Sequence, residues 1–188
     1  AMTHCNLGTA YRNSGMYEEA IESFRQAIRT DDDSEEVHHS LGTAYHGVGK
    51  YKEAIESYKQ AIRIGPDDAM AHYNLGTVYV NSGKYEEAIE SFKQAIRIDP
   101  DYRDAHHSLG YTYGELGKWK EAIESYKQAI RIDPDYREAH HNLGLAYNNS
   151  GMYEEAIESY KQVIRIGPDL AMTHCNLGTA YRNSGMYE

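Results

Sequence analysis

The sequence is poor in the features that mark membrane, nucleic-acid-binding and disulfide-stapled proteins. No apolar run approaches the roughly 20 residues of a membrane-spanning helix, and mean hydropathy is −0.75. Lysine and arginine number 19 against 29 aspartates and glutamates, a net charge of −10 with histidines neutral. Phosphate binding needs a positive patch, so nucleic acid is not an expected partner. The same acidity argues against an anionic membrane surface. There is no leader-like segment and no initiating Met, which fits an excerpt of a longer protein. Cysteine occurs only at Cys5 and Cys175. Too far apart along an elongated chain to meet, they read as free thiols compatible with a reducing, cytoplasmic compartment. Phenylalanine occurs twice and tryptophan once, against 18 tyrosines. So lopsided a choice of aromatic points to one position copied many times.

The copying is explicit. EAIESFRQAIR at 19–29 returns as EAIESYKQAIR at 53–63, EAIESFKQAIR at 87–97, EAIESYKQAIR at 121–131 and EAIESYKQVIR at 155–165. The step is 34 residues each time, without insertion. A looser partner segment precedes each: THCNLGTAY, VHHSLGTAY, AHYNLGTVY, AHHSLGYTY, AHHNLGLAY, and THCNLGTAY again. Residues 1–170 are therefore five repeats (1–34, 35–68, 69–102, 103–136, 137–170), and 171–188 are the first half of a sixth.

Both halves carry helical periodicity. Leu7, Ala10 and Tyr11 fall on one helical face, as do Ala20, Ile21, Phe24, Ala27 and Ile28. A glycine follows the first half of every repeat, a helix-stop signal. Glu18, Glu19 and Glu22 precede Arg25 and Arg29 in the second half, suiting the helix dipole and offering ion pairs at helical spacing. Pro66, Pro100, Pro134 and Pro168 end four repeats, each followed by an Asp placed to cap the next helix. In repeat one Asp31-Asp32-Asp33 stands there instead and is expected to cap in its place.

On these residues the unit resembles the tetratricopeptide repeat. The signature positions are Leu7, Gly8, Tyr11, Ala20, Phe24 and Ala27, recurring in register down the chain. Two departures stand out: His occupies position 4 throughout, and Val163 replaces the Ala of position 27. The resemblance implies an all-α, right-handed solenoid of helix-turn-helix repeats spanning 1–188. First helices would line a concave groove and second helices its outside. A hairpin of 34 residues cannot bury its apolar stripe alone, so neighbouring repeats must.

Comparing the repeats with one another, the second helix is nearly invariant. Variation gathers in the first helix at positions 2, 5, 9, 12 and 13, which in this family face the groove. The resemblance therefore places a peptide-binding groove at Asn6 and Thr9 in repeat one and at His39 and Thr43 in repeat two. Repeat three contributes Tyr73, Asn74 and Thr77; repeat four His107 and Tyr111; repeat five His141 and Asn142; the half repeat Asn176. Amides, hydroxyls and imidazoles can hydrogen-bond an extended main chain. Position 6 reads Asn6, Asn74, Asn142 and Asn176, with Ser40 and Ser108 between. It is similar to the asparagine ladder of the O-linked N-acetylglucosamine transferase superhelix. A carboxylate clamp would need Lys at positions 2 and 5 and Arg at 6, and this chain has none there.

Other chemistry is not supported. Adjacent histidines such as His38-His39 diverge by about 100° on a helix, and equivalent positions in successive repeats lie on the order of 20 Å apart. No closed metal site is expected. The acidic run at 31–36 lacks the alternation and glycine of a calcium loop. Gly42, Gly47, Gly49 and Lys50 lack the spacing and the following Ser or Thr of a phosphate loop. No nucleophile–base set can be assembled, so neither an enzyme nor a cofactor is expected. The expected role is a scaffold for a protein or peptide partner. A second expectation comes from the ends. Residues 1–18 and 171–188 are identical, so a second copy's first helix could replace the last helix of the first in register. That would be open-ended, head-to-tail assembly through the stripe Leu177, Ala180 and Tyr181.

Overall fold

The computed structural model describes residues 2–30, 33–167 and 171–185, with the side chains of Met2 and Thr3 excluded. Among the described residues there are eleven helices and no strand. The chain divides into two compact units, residues 1–100 and 101–188. The first contains α1 (Met2–Asn13), α2 (Tyr17–Arg29), α3 (Glu35–Gly47), α4 (Tyr51–Ile64), α5 (Ala69–Asn81) and α6 (Tyr85–Ile98). The second contains α7 (Arg103–Glu115), α8 (Trp119–Ile132), α9 (Arg137–Asn149), α10 (Tyr153–Ile166) and α11 (Ala171–Ser184).

The two helices of a repeat are joined by a tight turn that requires glycine. Gly83 has φ of 74°, and the amide of the next residue, Lys84, donates to the carbonyl of Tyr79 at 2.8 Å. This left-handed closure satisfies carbonyls that the end of α5 would otherwise leave bare.

The hairpin is held by a second kind of glycine. Gly76 on α5 lies so close to the Phe92 ring on α6 that a Cβ there would sit 2.7 Å from ring carbon Cε1. Phe92 is 1% exposed. The same contact pairs Gly8 with Phe24, Gly42 with Tyr58, Gly110 with Tyr126 and Gly144 with Tyr160. Each ring fills the space vacated by a missing side chain, and burying it stabilises the hairpin by about 1.5–3 kcal/mol. Ala20, Ala54, Ala88, Ala122 and Ala156 are fully buried beside these rings. The invariant serine of the second helix, Ser57 for one, is buried but satisfied, its hydroxyl donating to the Glu53 carbonyl at 2.9 Å.

Within each unit the second helix of a repeat packs on the first helix of the next. Among the described residues, first helices of neighbouring repeats also approach one another (α1 to α3, α3 to α5, α7 to α9, α9 to α11), whereas second helices of neighbouring repeats within a unit do not. The side of each unit formed by first helices is therefore the tighter one.

Two local expectations are corrected. The aspartate directly after proline does not cap: α5 is capped by Asp68, two residues after Pro66, which accepts from the Met70 amide at 2.8 Å. Tyr102 and Tyr136 occupy that place before α7 and α9 and make no side-chain cap. At Pro66, Pro100 and Pro134 the turn takes in the proline and the following Asp, so the capping position falls one later than the sequence suggested; the turn at Pro168 lies outside the described residues. Before α3 the N-cap is Ser34, without a side-chain cap bond. Asp33 instead meets His38 Nε2 at 2.6 Å, while Asp31 and Asp32 lie outside the described residues. Ion pairs on second helices form between Glu56 and Lys59, Glu90 and Lys93, and Glu158 and Lys161. These are exposed and contribute little. Arg25 lies over the Tyr45 ring, 5.7 Å from its centroid.

Candidate functional site

Three position-4 histidines, His38, His72 and His140, act as tethers. His72 Nε2 lies 3.1 Å from the Pro66 carbonyl and His140 Nε2 2.9 Å from that of Pro134. Each ring, acting as donor, ties the first turn of its helix to the preceding inter-repeat turn. For His38 of repeat two, preceded by the repeat that lacks the proline, the Asp33 carboxylate takes the carbonyl's place.

The position-5 histidines form a different set. His stands there in repeats two, four and five, the three whose position 24 is Tyr rather than Phe. His39 packs on Tyr58 with ring centroids 5.5 Å apart, His107 on Tyr126 at 5.6 Å and His141 on Tyr160 at 5.9 Å. In repeat three the pair is Tyr73 on Phe92, at 5.7 Å. Three of the ten histidines and three of the 18 tyrosines are thus a paired choice between first and second helices.

These imidazoles then join neighbouring repeats. Asn74 Nδ2 donates to His39 Nε2 at 2.8 Å in the first unit, and Asn142 Nδ2 to His107 Nε2 at 2.9 Å in the second. An amide nitrogen only donates, so the accepting imidazole nitrogen carries a lone pair and the ring is neutral. Burial agrees, lowering the pKa of both histidines, with Asp68 and Glu36 opposing at His39 and Asp104 and Glu138 at His107. Burial also lowers His46 and His141. Asn81 Nδ2 donates to His46 Nε2 at 2.7 Å, and Arg12 Nη1 to the buried Ser40 hydroxyl at 3.0 Å.

The structure places the sequence-predicted groove residues as follows. In the first unit Thr9, His39, Thr43, Tyr73, Asn74 and Thr77 are half-buried and Asn6 is exposed. Thr43 and Thr77 turn their hydroxyls back onto the carbonyls of His39 and Tyr73, and Thr43 also meets the Tyr58 hydroxyl at 3.0 Å. In the second unit His107, His141, Asn142 and Asn176 are half-buried and Tyr111 is exposed. His141 Nδ1 lies 3.2 Å from the buried Thr173 hydroxyl. His107, His141 and Asn142, with Arg137, Glu138 and Met172, line a cavity of about 330 Å³. A second, of about 190 Å³, is lined by Tyr111, Gly114, Glu115, Trp119, Tyr126, Asn142, Leu145, Ala146 and Asn149. Trp119 and Tyr126 were not expected at a site. The signal that could have found Trp119 is its solitary replacement of the Tyr at position 17.

On α11 the stripe noted in sequence is turned inward. Ala180 is fully buried in the second unit's core, and Leu177 and Tyr181 pack against it. The open side is that of Gly178, where an added Cβ would meet nothing within 4 Å. Neither cysteine is in a disulfide; Cys5 is half-buried and Cys175 exposed. Among the described residues no group of three or more His, Cys, Asp or Glu could hold a metal ion, and no helix is long and apolar enough to cross a membrane.

The family model for the TPR repeat matches this chain over residues 8–49, 48–83, 76–117, 115–151 and 146–185. The chain belongs to the TPR repeat family. No curated protein matches it in sequence. Among solved structures, the TPR chain is similar to the crystal structure of MamA protein, with 29% identity and a TM-score of 0.83 over 88% of this chain and 90% of that one. A second MamA crystal structure gives 30% identity and a TM-score of 0.81, covering 85% of this chain and 94% of that one. YrrB, described as a TPR protein with an unusual peptide-binding site, shares the fold: 23% identity, TM-score 0.80, 94% of this chain and 90% of that. TPR proteins are in general protein–protein interaction scaffolds, and the repeat-stacked all-helical fold here is of that kind.

Proposed function

We propose that this TPR chain is a non-catalytic scaffold whose first-helix face, in each unit, holds an extended peptide of a protein partner. The observation that carries this reading is the pair of inter-repeat bridges, Asn74 to His39 and Asn142 to His107. Each bridge spends one amide N–H and fixes the plane of the amide. A carbonyl oxygen and a second N–H remain, the donor–acceptor pair that an extended main chain takes up. Half-buried rings and hydroxyls beside them supply side-chain contacts. Neither a cofactor nor a metal enters this function, and nucleic acid and membrane are not its partners. The test is selection of binders from a library of extended peptides, followed by titration against Asn74→Ala and Asn142→Ala. At least one variant should weaken binding by about tenfold, the scale of one or two hydrogen bonds.

A specific observation favours a second reading, head-to-tail association of the 188-residue chain. One helical sequence occurs twice and uses a different face each time. As α1 it presents Gly8 to Phe24 of α2 and leaves Leu7 44% exposed. As α11 it buries Ala180 and packs Leu177 toward α10, leaving Gly178 open. A single such helix could use both faces, joining α10 of one copy to α2 of another. Light scattering against concentration, on the chain and on one truncated after Leu170, tests this: growth in the full chain alone supports it.

A further inference from the structure

We propose that the cavity around Trp119 in the second unit is a subsite for one basic side chain of the bound peptide, arginine ahead of lysine. This deepens the groove reading and rests on it. Repeat four departs from the other repeats at several positions, and the departures converge here. Position 17 is Trp119 where the others have Tyr; position 12 is Gly114 against Arg12, His46, Val80 and Asn148; position 13 is Glu115 against Asn or Gly; position 9 is Tyr111 against Thr or Leu. All four line the same cavity of about 190 Å³.

The matching place in the first unit shows what the exchange does. There His46 packs on Tyr51 with centroids 6.0 Å apart, and Asn81 closes onto His46 at 2.7 Å. In repeat four the imidazole is gone. Gly114 leaves the indole uncovered by any side chain at that position, its missing Cβ being 3.6 Å from Trp119 Cζ3. Removing the filler has opened a hole walled by Trp119, with Tyr126 buried and Tyr111 at the rim, 44% exposed.

The lining selects for charge. Of its ionisable groups only Glu115 is charged at neutral pH, and none is basic. Burial first, then the neighbouring Tyr111 and Glu115, raise the Tyr126 hydroxyl pKa. Aromatic faces attract a cation, Trp most strongly. A guanidinium stacks flat on an indole while donating to a carboxylate and to the amide oxygen of Asn149. An acidic or aliphatic side chain would gain neither.

The test uses the intrinsic fluorescence of Trp119, the only tryptophan in the chain. N-acetyl-arginine N-methylamide is titrated against the full chain, with the neutral isostere N-acetyl-citrulline N-methylamide as comparison. The arginine probe should saturate the response at a concentration about tenfold or more below the citrulline probe. Glu115→Gln should remove most of that difference. Gly114→His, which restores the filler of repeat two, should abolish the response with helicity unchanged by circular dichroism. Equal responses to the two probes, or no effect of either variant, overturns the assignment. These probes engage no extended main chain. Library peptides that bind without preference for a basic residue would therefore overturn the subsite alone, whereas an intact arginine response with no peptide binding would sink the groove reading alone.

Discussion

Adding one methyl group at Gly76 should cost more than its size suggests. The Cβ would stand 2.7, 2.8 and 3.0 Å from three carbons of the Phe92 ring, where carbon contacts prefer about 3.5–4.0 Å. Relief needs roughly 1 Å of movement by a side chain that is 1% exposed, between helices whose other neighbours are also packed. Overpacking of this kind costs about 1–3 kcal/mol. Urea denaturation followed by circular dichroism should show a lower midpoint for Gly76→Ala, despite the better helix propensity of alanine. If the clash is the cause, Phe92→Leu should absorb it. The double variant would then lose less than the sum of the two single losses, by about 1 kcal/mol. A Gly76→Ala protein as stable as the parent, or strict additivity with Phe92→Leu, would refute the packing argument.

Gly83→Ala has no such clash, since nothing lies within 4 Å of its Cβ; it should cost about 1–2 kcal/mol from its left-handed φ alone, with no coupling to Phe92→Leu in the same urea assay. Burial lowers the pKa of His39, His46, His107 and His141 from 6.5, so below that value the unfolded chain binds more protons than the folded one. The contribution of these groups to stability is full above pH 6.5 and falls as pH drops through 6.5 toward the folded pKa values. The urea midpoint of the parent should therefore lose more between neutral and mildly acid pH than that of the His39→Gln, His107→Gln double variant; equal slopes would contradict it. Arg103 joins Asp133 at 2.7 Å and Asp104 at 2.8 Å and lies 4.3 Å from the Tyr136 ring centroid. These charges are well exposed, so Asp133→Asn should cost less than about 1 kcal/mol, and a larger loss by urea titration would show a stronger network than its exposure allows.

The repeat architecture was legible because it is written in residues that pack. Ala20, Phe24 and Ala27 recur at helical spacing, and the chain has few other ways to bury them. Gly8 and its equivalents were recognisable as small, though not the ring each one admits, since that contact joins two helices. Helix capping slipped by one residue because the two-residue turn that begins at proline is a matter of backbone geometry, not of residue type. Variation among repeats singled out position 5, where His39 and His107 stand, and the family resemblance singled out position 6, where Asn74 and Asn142 stand. The bridges between repeats were not legible, because they link position 5 of one repeat to position 6 of the next and depend on the stacking distance. The pairing of position-5 His with position-24 Tyr was present in the sequence, yet its meaning needs the rings in contact. The Trp119 cavity was hidden for a related reason. Gly114 and Trp119 read as scattered differences until the fold brought them to one place.

The measurement that bears most directly on the scaffold account is the affinity of a library-selected extended peptide for the parent and for Asn74→Ala and Asn142→Ala, by calorimetric titration. The account predicts saturable binding to the parent, weakened about tenfold in at least one of the two variants. Failure of any extended peptide to bind, or binding that both substitutions leave unchanged, would contradict it.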